Sequence, residues 1–209
     1  MSRGRFFSLD GIDGTGKSTQ CRLLAERLRG EGLDVVQCAD PGGTAVGVEL
    51  RDILLHHRGE MAPACEALLF MASRAQLVAE VIRPALDAGR TVVSDRFVLA
   101  NLVYQGYGGG LDVDQLWDVG RLSTGGVEPD LTLVLDLPLD AALARRGRAP
   151  DRMESRARDY QQRVRDGFLS EARRRPDRVR VIDAGAPVEV VHERIYKEVR
   201  SVLGSGPRA

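Results

Sequence analysis

The chain has no net charge to offer: its 209 residues carry 30 Lys and Arg against 30 Asp and Glu. A general binder of nucleic acid or of membrane surfaces shows a basic excess, so neither partner is expected. No apolar run approaches the ~18 residues needed to cross a bilayer. The opening Met1-Ser2-Arg3-Gly4-Arg5 leads into a strand and not into the apolar stretch of a leader. Cysteine is scarce: Cys21, Cys38 and Cys65 are odd in number and form no CxxC pair. They are expected as reduced thiols, buried or partly so, in a cytoplasmic protein, which excludes a disulfide framework. His56, His57 and His192 lack acidic or cysteine companions at ligand spacing, which argues against a dedicated metal site. Internal repeats, low-complexity tracts and domain-scale linkers are missing too. What remains is one domain, long enough for a sizeable core, with a frayed tail over residues 204–209.

Against these absences stands one dense motif. Phe6-Phe7-Ser8-Leu9-Asp10 reads as a short apolar strand, and G-x-x-x-x-G-K-S follows at Gly11–Ser18. Gly11, Gly14 and Gly16 permit backbone angles and close approaches that a Cβ would forbid. The loop is then free to turn its N–H groups around phosphate oxygens at a helix N-terminus. Lys17 adds a point charge for the β- and γ-phosphates, and the Ser18 hydroxyl suits Mg²⁺. The run Gly11, Ile12, Asp13, Gly14, Thr15, Gly16, Lys17, Ser18 and Thr19 is therefore the expected seat of a nucleoside triphosphate.

Apolar β-rich runs alternate with helical patterns, which predicts a parallel sheet covered by helices on both faces. Strands are expected at Arg5–Leu9, Asp34–Cys38, Thr91–Ser94, Leu131–Leu137 and Val179–Ile182. Helices are expected near Lys17–Arg29, Val46–Leu55, Pro63–Ala88, Val113–Ser123, Leu139–Arg146, Arg156–Arg174 and Val188–Val202. Pro84 should kink the third helix or close its final turn. Trp117 reads as the apolar anchor of its helix. Two segments, Asp40–Gly47 and Gly106–Leu111, read as irregular and glycine-rich, and a third, Arg145–Arg156, is crowded with arginine. All three are expected near the carboxyl edge of the sheet, where open α/β folds hold their ligands.

Three further constellations bear on chemistry. Asp95 ends a buried strand and is placed to serve Mg²⁺, with Arg96 beside it as a fork for a second phosphate. Asp136, also at a strand end, is a weaker competitor for the metal. Arg145–Glu154 holds the positive charge that phosphoryl transfer requires, on a segment able to close over the phosphates. Phe70 and Arg74 stand at i and i+4 on one helix face. Such a pair can stack on a base and bond its edge, but the spacing alone favours core packing for Phe70 and a surface ion pair for Arg74.

Taken together, these residues resemble bacterial thymidylate kinases, from about Phe6 to Val202. The family's loop corresponds to Phe7–Thr19, and its E-P-G-G-T appears as Asp40-Pro41-Gly42-Gly43-Thr44. Its L-L-F-x-A-x-R-A-Q helix is Leu68–Gln76, and its S-D-R-Y … A-Y-Q-G segment is Ser94–Phe97 with Val103–Gly106. Its P-D-L-T-L-x-L-D strand is Pro129–Asp136, and its D-R-x-E lid signature is Asp151–Glu154. The resemblance implies a P-loop NTPase three-layer α/β fold, with a central five-stranded parallel sheet and an arginine-rich lid at about 145–156. It implies transfer of the γ-phosphate of ATP to dTMP with Mg²⁺, in a homodimer built through helices. Phe70 would stack on thymine, Arg74 would bond a thymine carbonyl, and Arg96 would hold the dTMP phosphate. Tyr104 would crowd the sugar 2′ position, Asn101 and Gln105 would lie near the base, and Pro41 would border the acceptor. Asp10 is placed near the acceptor sugar and phosphate, and Ser18 with Asp95 would hold the metal.

The resembling family has two subtypes, with the catalytic arginine in the phosphate loop or in the lid. No arginine lies between Gly11 and Lys17, so Arg148 and Arg152 of the lid are expected to join Lys17, Arg96 and Asp10 in catalysis. Ala39 and Asp40 depart from the family's arginine and glutamate, Phe97 from its tyrosine, and Leu99 and Ala100 from its polar pair. Two rivals share the intact loop: a kinase for another nucleoside monophosphate or a deoxynucleoside, and an inactive ATP-binding regulator.

Overall fold

The computed structural model describes residues 3–145, 152 and 156–204. Its sheet has five strands, β1 (Phe6–Asp10), β2 (Val35–Ala39), β3 (Thr91–Asp95), β4 (Leu131–Asp136) and β5 (Val179–Asp183). Their order is β2-β3-β1-β4-β5, and all four pairings are parallel. The central strands are buried along nearly their whole length, whereas the edge strands β2 and β5 alternate with exposed positions. That contrast explains the unbroken apolar runs of the central strands, which must satisfy helices on two faces.

Side chains of β1 alternate between the two layers. Phe7 and Leu9 join a cluster with Leu24 and Leu28 of α1 (Lys17–Gly30) and Ile195 and Val199 of α9 (Val188–Gly204). Phe6 joins the other cluster, with Leu77, Ile82 and Phe97. The Phe6 and Phe97 rings meet edge to face at 4.9 Å between centroids, so the hydroxyl that tyrosine would add at Phe97 is replaced by aromatic packing.

Expected and observed strand ends differ by a residue or so, and α2 (Ala45–His56), α6 (Val113–Thr124) and α7 (Leu139–Ala144) fall close to expectation. The expected helix Pro63–Ala88 is a composite. α3 (Pro63–Leu77) passes through a π-helical turn (Val78–Ile82) into α4 (Arg83–Asp87). Pro84 has no N–H to donate backwards, and the ladder widens into the π-helical turn just ahead of it, with Pro84 opening the final short helix.

The larger correction concerns Gly106–Leu111. The first half of that stretch is helical: α5 (Val98–Asn101) continues into a π-helical segment (Leu102–Gly108). Its glycines serve close approach. A Cβ at Gly106 would lie 2.9 Å from Val113 Cγ2, and one at Gly108 2.7 Å from the Tyr160 ring of α8 (Arg158–Arg174). Two smaller corrections follow. Cys65 is exposed, unlike buried Cys21 and half-buried Cys38. His56 does have an acidic neighbour, Asp52, at 2.9 Å one helical turn away. Trp117 packs on the second cluster under the Arg175 guanidinium.

Candidate active site

The loop between β1 and α1 lies at the carboxyl edge of the sheet, where the crossovers from β1 to its neighbours diverge. Gly14 has φ +91°, and a Cβ there would meet the Ala142 carbonyl oxygen at 2.1 Å. This loop therefore excludes a side chain at the position, which fits the lack of a loop arginine. Lys17 is buried at the start of α1, with Nζ donating to the Ile12 carbonyl at 2.9 Å and facing Asp13 at 3.5 Å. Burial lowers its pKa, as does Arg96, while Asp13 opposes the shift.

Ser18 Oγ donates to Asp95 Oδ2 at 2.5 Å. A hydroxyl and a carboxylate so close are two hard oxygen donors, suited to Mg²⁺ that keeps waters and phosphate oxygens as its other ligands. Asp136 is engaged elsewhere, bidentate with Arg165 at 2.7 and 2.9 Å. Among the described residues no group of three or more His, Cys, Asp or Glu is placed to cage a metal.

Arg96 has φ +69°, a left-handed conformation that costs a non-glycine residue of order 1 kcal/mol. The bond from Ser94 Oγ to its carbonyl at 2.7 Å and its own N–H to Leu9 O at 2.9 Å hold it there. Its guanidinium donates to Gly11 O at 3.0 Å, to Asp13 Oδ1, and to the Tyr104 hydroxyl at 3.3 Å. The same hydroxyl donates to Asp13 Oδ2 at 3.1 Å. Lys17, Arg96, Tyr104 and Asp13 thus form one cluster in which a carboxylate occupies two cations.

A cavity of about 1310 Å³ joins this cluster to both ends of the site. Asp13 through Thr19 line its floor, with Asp95 and Arg96 at its centre. At one end stand Phe70, Arg74, Pro41, Asn101, Tyr104 and Gln105, so with Arg96 seven of the eight acceptor residues expected from sequence line this cavity, Asp10 being the exception. Phe70 is half-buried, but Arg74 is buried rather than a surface residue. Its Nε donates to Asp40 at 2.5 Å, Nη1 to Asn101 Oδ1 at 3.1 Å and Nη2 to Phe97 O at 3.4 Å. Burial raises the Asp40 pKa, and Arg74 pulls against that shift.

Four expected residues lie off the cavity wall: Asp10, Gly11, Ile12 and Arg152. Asp10 is fully buried beneath the loop with Gly11 and Ile12, and burial pushes its pKa up to about 7. Arg152 is turned away from the phosphates, donating to Leu54 O at 2.8 Å and Glu66 Oε2 at 2.6 Å. Arg148 lies outside the described residues. Sequence reading missed the cavity's other end, formed by Arg145, Ala184, Ala186, Pro187 and Val188, with Arg145 held by the Ala184 carbonyl at 2.8 Å. The available signal was the small-residue loop Ala184-Gly185-Ala186-Pro187 at the carboxyl end of β5.

Comparison with known proteins agrees with this geometry. A family model described as thymidylate kinase matches residues 9–195. The chain is 52% identical over 192 residues to the thymidylate kinase of Rhodopirellula baltica, covering 92% of this chain and 78% of that one. It is 47% identical over 205 residues to the enzyme of Pelotomaculum thermopropionicum, covering 96% and 95%. A crystal structure of thymidylate kinase from Ehrlichia chaffeensis superposes with a TM-score of 0.80 at 30% identity, over 94% of this chain and 99% of that one. With the loop, the strand-end carboxylate and the acceptor pocket in one cavity, the chain belongs to the thymidylate kinase family.

Proposed function

We propose that this chain is a single catalytic domain that transfers the γ-phosphate of ATP to dTMP, giving ADP and dTDP. The observation that carries the reading is the continuous cavity joining the Gly11–Ser18 loop to a pocket walled by Phe70 and Arg74. Loop N–H groups and Lys17 bind the triphosphate, and the adenine has room between Arg145 and the Ala184–Val188 segment. Phe70 offers its face to thymine, and Arg74 offers N–H groups to a base carbonyl. Tyr104 closes the sugar side. Arg96 holds the acceptor phosphate, for which the phosphate must displace Asp13.

Positioning and charge stabilisation then do most of the work. The acceptor phosphate is already ionised near neutral pH, so no side chain need remove a proton for it to attack. Ser18 and Asp95 would hold Mg²⁺, which neutralises phosphate charge. The lid over 145–156 supplies the remaining positive charge through Arg148, and through Arg152 once it leaves Glu66. Asp10 acts from beneath the loop on Lys17 and Arg96, without touching substrate. Among the described residues no helix is long and apolar enough to cross a membrane; a place in the cytoplasm is part of the proposal. A homodimer is expected because Ile53 of α2, Leu68 of α3 and Leu122 of α6 are exposed, and α3 packs against the other two helices.

A coupled assay of ADP release with ATP, Mg²⁺ and a panel of dTMP, dUMP, dCMP, dGMP and thymidine tests the reading. Release should be fastest with dTMP; preference for uncharged thymidine would reassign Arg96, and no release would leave a regulator. Lys17→Ala should lower kcat at least a hundredfold, about 2.7 kcal/mol of barrier. A loss under tenfold would remove Lys17 from catalysis.

A further inference from the structure

Glu66 lies in the first turn of α3, one turn before Phe70, and its side chain is 1% exposed. Both carboxylate oxygens are engaged. Oε2 accepts from Arg152 Nη2 and Arg156 Nη2, each at 2.6 Å. Oε1 accepts from Gln105 Nε2 at 2.9 Å. The bonds continue inward: Asn101 Nδ2 donates to Gln105 Oε1 at 2.8 Å, and Arg74 Nη1 donates to Asn101 Oδ1 at 3.1 Å. Glu66, Gln105, Asn101 and Arg74 are all buried.

The direction of this chain is forced by its ends. A carboxylate only accepts and a guanidinium only donates, so the two amides between them must point the same way. Reversing either would set N–H against N–H or oxygen against oxygen between buried side chains. The wall of the cavity therefore presents the Asn101 oxygen beside the Arg74 Nη2 group, an acceptor next to a donor. Thymine matches that order, since its O4 accepts and its N3–H donates. Cytosine presents the reverse, a donating amino group at C4 and an accepting N3.

We propose that Glu66 is a specificity-positioning residue: it sets the direction of the Gln105–Asn101 relay and so selects a 4-oxo over a 4-amino pyrimidine. The inference rests on the reading of the pocket as a dTMP site and deepens it. Burying a carboxylate so deep requires countercharge, which Arg152 and Arg156 supply.

The test compares kcat/KM for dTMP and dCMP in the native chain, Glu66→Gln and Glu66→Asp, with melting curves to establish folding. Glutamine keeps the shape but adds an N–H donor, so it no longer dictates the relay's direction. Glu66→Gln should lower kcat/KM for dTMP at least tenfold, mainly through KM, and narrow the dTMP/dCMP preference at least tenfold. Glu66→Asp, still a pure acceptor, should keep more of that preference. A merely structural Glu66 would lower both nucleotides alike, and an unchanged ratio overturns the proposal. If Glu66→Gln fails to fold, Gln105→Leu must narrow the same ratio instead, and failure to do so overturns it equally. Absence of dTMP-dependent turnover in the native chain would sink the functional reading alone. Calorimetric binding of dTMP and dCMP then scores the relay, with equal ratios in native and variant proteins as the overturning result.

Discussion

Asp10 ends β1 with its carboxyl fully buried, Oδ2 3.5 Å from the Ser8 hydroxyl and Oδ1 without a hydrogen-bond partner. Desolvation dominates its titration, with Arg96 and Lys17 pulling the pKa down and Asp95 and Asp40 pushing it up, to a net value of about 7. Unfolded, the same carboxyl ionises near 3.8. Between those values the folded state binds more protons, so Asp10 withdraws stability as pH rises from about 4 to about 7, and the penalty is constant above that range. Asparagine does not titrate. The melting temperature of Asp10→Asn relative to the native chain should therefore climb between pH 5 and pH 8; a difference that stays flat would show an ordinary carboxyl. Asp10 illustrates what a motif leaves unsaid. Lys17, Ser18 and Asp95 were legible because their loop and strand end are local in sequence. The burial of Asp10 depends on strands far along the chain. Arg74 was likewise ambiguous because its partner Asp40 is 34 residues away, beyond any helical spacing rule.

At the scale of elements, alternating strands and helices were readable because buried parallel strands need apolar residues on both faces. The departure lies at residues 106–108, expected as part of an irregular glycine-rich segment and found inside the helical segment Leu102–Gly108. Its glycines are instead what lets this helical segment approach α8: the Tyr160 ring occupies the space that a Cβ on Gly108 would need, and Val164 Cγ2 lies 2.8 Å from it. Tyr160 has little room to move, because its hydroxyl donates to the Tyr104 carbonyl at 2.8 Å. Gly108→Ala should thus behave as overpacking and cost about 1–3 kcal/mol. At roughly 2–4 °C per kcal/mol for a chain of this size, a clear fall in melting temperature is expected. An unchanged melting temperature would mean that the two helices are not held at this spacing. The same seam carries Tyr104 into the cavity, so the sugar wall depends on helix packing that no spacing rule describes.

At the scale of the molecule, the sequence foretold the layers and the loop, and the resemblance supplied the acceptor half of the site, but no pattern marked a surface on which two copies could meet. Leu122 is 81% exposed and Leu68 57%, on adjacent helices, and such side chains gathered together favour association. Leu68 and Glu66 sit two positions apart on α3, so they face different directions. The helix that presents Glu66, Phe70 and Arg74 to the acceptor therefore turns Leu68 outward. If two copies meet there, association and acceptor binding share one rigid element. Leu68→Glu combined with Leu122→Glu should convert a dimer of 22.8 kDa chains into monomers by sedimentation velocity, since each copy would bury unpaired charge. The same variant should raise KM for dTMP while leaving KM for ATP near its native value, because α3 borders only the acceptor end of the cavity. A native chain that sediments as a monomer at micromolar concentration would remove the dimer. Dissociation with both KM values unchanged would keep the dimer and cut its link to the pocket.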